Sequence, residues 1–209
     1  MDDLLSARDF YLEQYQKAGL TAPTAFVWSL LKGDAAVDML WFDIHENLAA
    51  FGASMDAAAA ATGLEKVQER FDSVVACEGS NVGTFVPVYE RESGAGDGDT
   101  VFISSNACNL KHGLGNEHVA DLQRHISGVL GEADGVTPQA VYMATPVTSG
   151  PNSADRYLFV VNDSASAWAE FVTGIGRSDA GPQLGRHFDM VFDCNTTMWS
   201  AQQVVGGEG

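Results

Sequence analysis

Positive charge is scarce in this chain. Eleven Lys and Arg stand against 28 Asp and Glu over 209 residues, a formal net charge of −17. A field of that sign repels phosphate and excludes nucleic acid and anionic membrane surfaces as partners. No apolar run is long enough to span a bilayer, and Met1-Asp2-Asp3 has none of the basic character that opens a secretory leader, so the cytoplasm is the expected compartment. Three cysteines are too few for a disulfide scaffold and match no zinc spacing. Gly174-Ile175-Gly176 sits at a helix end without a preceding strand, so it is no dinucleotide fingerprint. Asp97 and Asp99 lack the remaining ligands of a calcium loop. The expected list of metals and cofactors is empty.

What is present is enough apolar material for a core. Hydrophobic residues make up 45% of the chain and charged residues only 19%, which separates it from disordered polymers. The surplus of acid reads as a solvated surface that keeps the protein dispersed.

A repeat lies inside the chain. At an offset of 117 residues, 41–77 falls over 158–194 without a gap, pairing Phe42 with Phe159, Ala50 with Ala167, Phe71 with Phe188, Asp72 with Asp189, Val74 with Val191 and Cys77 with Cys194. The order of elements repeats as well. In the first copy, a helix over Asp3 to Ala18 leads to strands at Thr24 to Lys32 and Met39 to His45, rich in β-branched and aromatic residues. Asn47 caps a helix carrying Leu48, Phe51 and Met55, a short amphipathic helix follows over 64–75, and Val82 to Tyr89 closes as a strand. Pro87 marks that strand as an edge or a bulge. In the second copy, a strand at Val101 to Ser105 precedes a helix capped by Asn116 and ended by Gly131. A hairpin of Gln139 to Thr145 and Arg156 to Val161 turns at 149–152, Ser164 starts another helix, and a short helix around 184–192 leads to the strand Thr196 to Val205.

That second order, β-α-β-β-α-β, is the split ferredoxin-like unit. The expected fold is α+β: two tandem ferredoxin-like units, 1–90 and 101–209, joined by a polar glycine-rich linker at 91–100 and forming an α/β barrel within one chain. The first unit lacks its opening strand, so a leading segment has been lost or another chain supplies it, which leaves room for a homodimer. Two such units, each with an extra short helix before its last strand, resemble the dimeric α/β-barrel superfamily, which includes the antibiotic-biosynthesis monooxygenase-like and NIPSNAP-like proteins. Cys108-Asn109-Leu110 after a strand is also similar to a segment found in a group of bacterial proteins of unassigned activity. The superfamily resemblance implies two sheets that face one another around a lumen.

Alternation on the strand Met39 to His45 puts Leu40, Phe42 and Ile44 on one face, to pack on helices. Met39, Trp41, Asp43 and His45 share the other, which would line the lumen. The repeat places Arg156, Leu158, Val160 and Asn162 at the equivalent positions. The candidate site is therefore His45 as acid–base group, Asp43 as its electrostatic partner, and Trp41, Trp28, Arg156 and Asn162 as ligand-binding walls. The competing interpretation is a solvated polar face at the barrel mouth.

His118, Asp121 and His125 share one helical stripe, but the two histidines stand two turns apart, about 10.5 Å, too far for one ion. Cys108 is expected as a structural thiol at a strand end, and Cys77 and Cys194 at helix ends. The function that follows is binding of a partly apolar metabolite, with cofactor-independent monooxygenase- or isomerase-like chemistry. The alternative is a non-catalytic structural or interaction module.

Overall fold

The computed structural model describes residues 2–77, 79–91, 100–133, 135, 137–148 and 153–206. The expected linker at 92–99 and the hairpin turn at 149–152 lie outside the described residues. In chain order the elements are α1 (Asp2–Lys17), β1 (Thr24–Lys32), β2 (Met39–Ile44), α2 (Leu48–Ala60), α3 (Glu65–Asp72), β3 (Gly83–Glu90), β4 (Thr100–Leu110), α4 (Asn116–Gly131), β5 (Ala140–Pro146), β6 (Arg156–Asn162), α5 (Ala165–Arg177), α6 (Gly181–Val191) and β7 (Phe192–Val205). No helix among the described residues is long and apolar enough to cross a membrane.

The strands hydrogen-bond in the order β2-β1-β7-β4-β6-β5-β3. Strand β6 pairs antiparallel with both β4 and β5, and β3 pairs antiparallel with β5. The stretch β7-β4-β6-β5 is the strand order of a β-α-β-β-α-β unit. Pro87 has no N–H to give a ladder, and the register of β3 slips between Pro87 and Tyr89, at the edge of the order.

Two compact units divide the chain. The first comprises Met1–Trp28, Met39–Ser80 and Gln202–Gly209; the second comprises Ser29–Asp38 and Asn81–Ala201. Chain order and compact unit do not coincide, because β3 pairs with β5 and lies in the second unit. The first unit's core is Leu4, Tyr11, Ala25, Val27, Val204 and Val205, with Trp41, Val67 and Phe71 packed against it. The second unit's core gathers Val119, Leu122, Ile126 and Leu130 of α4, the i, i+3, i+4 stripe of an amphipathic helix, onto Val141, Met143 and Leu158 of the sheet. Leu122 is fully enclosed, and burial of such a side chain contributes about 1.5–3 kcal/mol.

Local capping repeats at the offset seen in the sequence. Asn47 Oδ1 accepts from Ala50 N at 2.9 Å, and Ser164 Oγ accepts from Ala167 N at 3.1 Å. Both caps are extended, with φ −163° and −161°. Helices α2 and α5 begin and end 117 residues apart. Gly181 permits the close turn from α5 into α6, since a Cβ there would lie 1.8 Å from the Ile175 carbonyl oxygen.

Three expectations are corrected. Asn116 is the first residue of α4 rather than its cap, which is Gly115. Strand β4 runs on to Leu110 and β7 begins at Phe192, so Cys108 and Cys194 stand on strands rather than at a strand end and a helix end. They form a disulfide between these neighbouring strands, with Cα atoms 4.1 Å apart, so Cys108 is not a thiol. Cys77, exposed, is the free cysteine.

Candidate functional site

In the second unit, Leu158 and Val160 of β6 face α4, α5 and α6. Each helix presents an i, i+4 pair above them: Ile126 and Leu130, Phe171 and Ile175, Leu184 and Phe188. Between these helices and the strand lies a cleft of about 260 Å³ whose lining is apolar apart from Asp189. Asn162, next on the same face of β6, is 1% exposed, and its Oδ1 has no hydrogen-bond partner among the described residues. Its Nδ2 reaches only the Val160 carbonyl, at 3.4 Å. Arg156, at the other end of the row, is engaged elsewhere: its Nη2 donates to Asn116 Oδ1 at 2.6 Å and its Nη1 to the Asp155 carbonyl.

The matching row of the first unit is filled. Trp41 packs edge-on against Tyr11 and Phe71, with centroids 6.4 and 5.2 Å away, and its Nε1 donates to Asp43 Oδ1 at 2.9 Å. Asp43 keeps an open side to solvent. The surrounding groups nevertheless desolvate its carboxyl and raise it above the usual range, against the lowering pull of the Trp41 hydrogen bond and the His45 charge. Burial, with Tyr15 and Asp43 close by, raises the Tyr11 hydroxyl as well. The Tyr15 ring, 4.4 Å from that of Tyr11, forms one wall of a cavity of about 270 Å³ shared with Leu20, Thr21, Ala53, Ser54 and Ala57. His45 packs edge-on against Phe51 at 5.5 Å.

The structure brings Trp41 and Asp43 together as the sequence implies, but on the opposite side of the sheet. Trp41 packs on α1 and α3, while Phe42, expected on helices, stacks on Trp28 at 4.3 Å on the other face. Leu158 and Val160 likewise meet helices rather than a lumen. Trp28 therefore does not share a wall with Trp41. Alternation fixes which residues share a face; it does not say which face the helices cover when both are apolar.

One polar pair and one polar trio escaped the sequence because their members are far apart in it. Tyr142 Oη donates to Glu90 Oε1 at 2.8 Å, and burial followed by this bond pushes its hydroxyl up to about 12. Asp163 accepts from Gln139 and from Arg91 at 3.2 Å, and these donors hold its carboxyl below the usual range.

No protein-family profile and no curated protein sequence matches the chain. Solved structures do. A candidate monooxygenase from Fusobacterium nucleatum subsp. nucleatum ATCC 25586 superimposes with a TM-score of 0.56 at 10% identity, over 100% of this chain and 88% of that one. One from Lactobacillus acidophilus NCFM gives 0.51 at 11% identity, over 93% and 88%. These likenesses identify the fold class as α+β of the kind those two proteins share.

Proposed function

We propose that the chain binds a small, partly apolar molecule in the helix-covered cleft of its second unit and is built from two tandem ferredoxin-like halves. The cleft carries the first part: about 260 Å³ of apolar volume with Asp189 at its lining and, two residues beyond Val160 on the same strand face, a buried amide. Sites for small metabolites have this composition. The coincident caps and lengths of α2 and α5 support the second part. Oxygenase-type chemistry without a resident cofactor is the activity we infer, from the names of the two neighbours and the apolar lining of the cleft. In this reading Asn162 is the ligand-facing acceptor.

A second reading places proton transfer in the first unit. Its support is the raised carboxyl of Asp43, which holds a proton closer to neutrality than an ordinary carboxylic acid and can act as a general acid, with Trp41 as its donor and His45 as its neighbour.

Calorimetric titration of 1-naphthol tests the first reading against binding in the first unit's cavity. The first reading expects one equivalent bound with a negative heat-capacity change, lost in Val160→Phe and kept in Ala57→Phe. The reverse pattern moves the site to the first unit's cavity. Absence of binding to the unmodified protein overturns both binding sites.

A further inference from the structure

Helices α4 and α6 bring two histidines together that stand 62 residues apart in the chain. His125 Nδ1 and His187 Nδ1 lie 2.9 Å from one another, with ring centroids 5.2 Å apart and planes inclined by 38°. Both rings are half-buried. The sequence stripe that contained His125 failed as a metal site because His118 is too distant; the fold supplies a different second imidazole. His118 itself is occupied at the start of α4, where Nδ1 accepts from Gly115 N.

We propose that His125 and His187 form a two-imidazole site for a divalent transition-metal ion, Cu(II) or Ni(II) before Zn(II). The same nitrogen of each ring faces the other. With metal–nitrogen distances of roughly 2.0–2.1 Å, two ligands at a right angle stand about 2.9 Å apart and two at the tetrahedral angle about 3.3–3.4 Å. The observed separation matches the right-angle case, which square-planar and octahedral ions prefer, and imidazole suits them. Between neutral rings, one Nδ1 carries the shared proton and the other accepts it. Metal binding places both rings in the tautomer protonated at Nε2, so that proton moves within its own ring through solvent and none is released overall. Binding requires each ring to turn out of this hydrogen-bonded orientation while the two Nδ1 atoms stay near their present separation, so that both lone pairs meet at the ion. Among the described residues no third His, Cys, Asp or Glu joins the pair. Water therefore completes the coordination, and the site exchanges its ion readily.

The site stands apart from the reading of the cleft, and its test uses the metal alone. The metal-stripped full chain is titrated with Cu(II) and with Ni(II) in a non-coordinating buffer, followed by calorimetry and by the nitrogen hyperfine pattern of bound Cu(II). One equivalent bound through two imidazole nitrogens is expected, with loss of that event in His125→Asn and in His187→Asn. Asparagine retains a hydrogen-bonding atom near the Nδ1 position, so the helix contact survives; circular dichroism checks this. His118→Ala keeps the event. Absence of a stoichiometric event in the unmodified chain, or its persistence in both asparagine variants, overturns the proposal.

Discussion

The rows Trp41-Asp43-His45 and Leu158-Val160-Asn162 lie on strands that match at the 117-residue offset, each followed by a helix capped by a side chain at the equivalent position. The frame is alike and the outcomes differ. Where the second unit has Leu158 it leaves room for a cleft; where the first has Trp41, the indole fills its row against Tyr11 and Phe71. Where the second has Val160 the wall is apolar; where the first has Asp43, a solvent-exposed carboxyl bonded to Trp41 is raised above the usual range by partial desolvation. On these two strands alternation decides which residues share a row, and side-chain volume decides whether a cavity remains there.

Four substitutions break or sharpen that contrast. Leu122→Ala removes the enclosed centre of the second unit's core and is expected to cost about 2–5 kcal/mol by urea denaturation. Val27→Ala, in the first unit's core, deletes fewer methyl groups and costs less. Leu158→Trp copies the first row into the second. It closes the cleft, abolishes 1-naphthol binding, and costs about 1–3 kcal/mol through overpacking; unchanged binding would show that the cleft is not the site. Asn162→Leu replaces a buried acceptor that has no partner among the described residues, and a gain of about 1 kcal/mol is expected from the denaturation midpoint, whereas a loss would reveal a partner for Oδ1.

The smallest effects separate two carboxyls by pH. Asp43 sits above its unfolded value, so the folded chain holds the extra proton between the two values, and stability falls as pH rises through that window. Asp163 sits below its unfolded value, so its contribution is complete above that value and is lost as pH falls through the folded one. Asp43→Asn should therefore gain on the unmodified chain at about pH 7 and not in acid, while Asp163→Asn should lose at about pH 7 and not in acid. Slopes of the same sign would refute the assignment.

Much of the fold was legible. Strand β1 matches its expected bounds, and α1 and β2 differ from theirs by a residue at the ends, because alternation and the 3.6-residue stripe are local signals. Asn47 and Ser164 cap as their positions imply. The row of the candidate site was legible too, since alternation alone groups Trp41 with Asp43 and Leu158 with Val160. Its burial beneath helices was not, because Phe42 and Trp28 make the opposite face equally apolar. The Cys108–Cys194 disulfide and the His125–His187 pair could not be read, as each joins residues more than sixty positions apart.

By itself, the order of residues determined the acidic field, the elements and the members of each strand face, all properties of charge count and short-range stereochemistry. The tertiary structure alone decided which face the helices cover, which cysteines join and where a cavity is left. Those outcomes depend on how side chains distant in sequence fill a shared volume, and no local period encodes that.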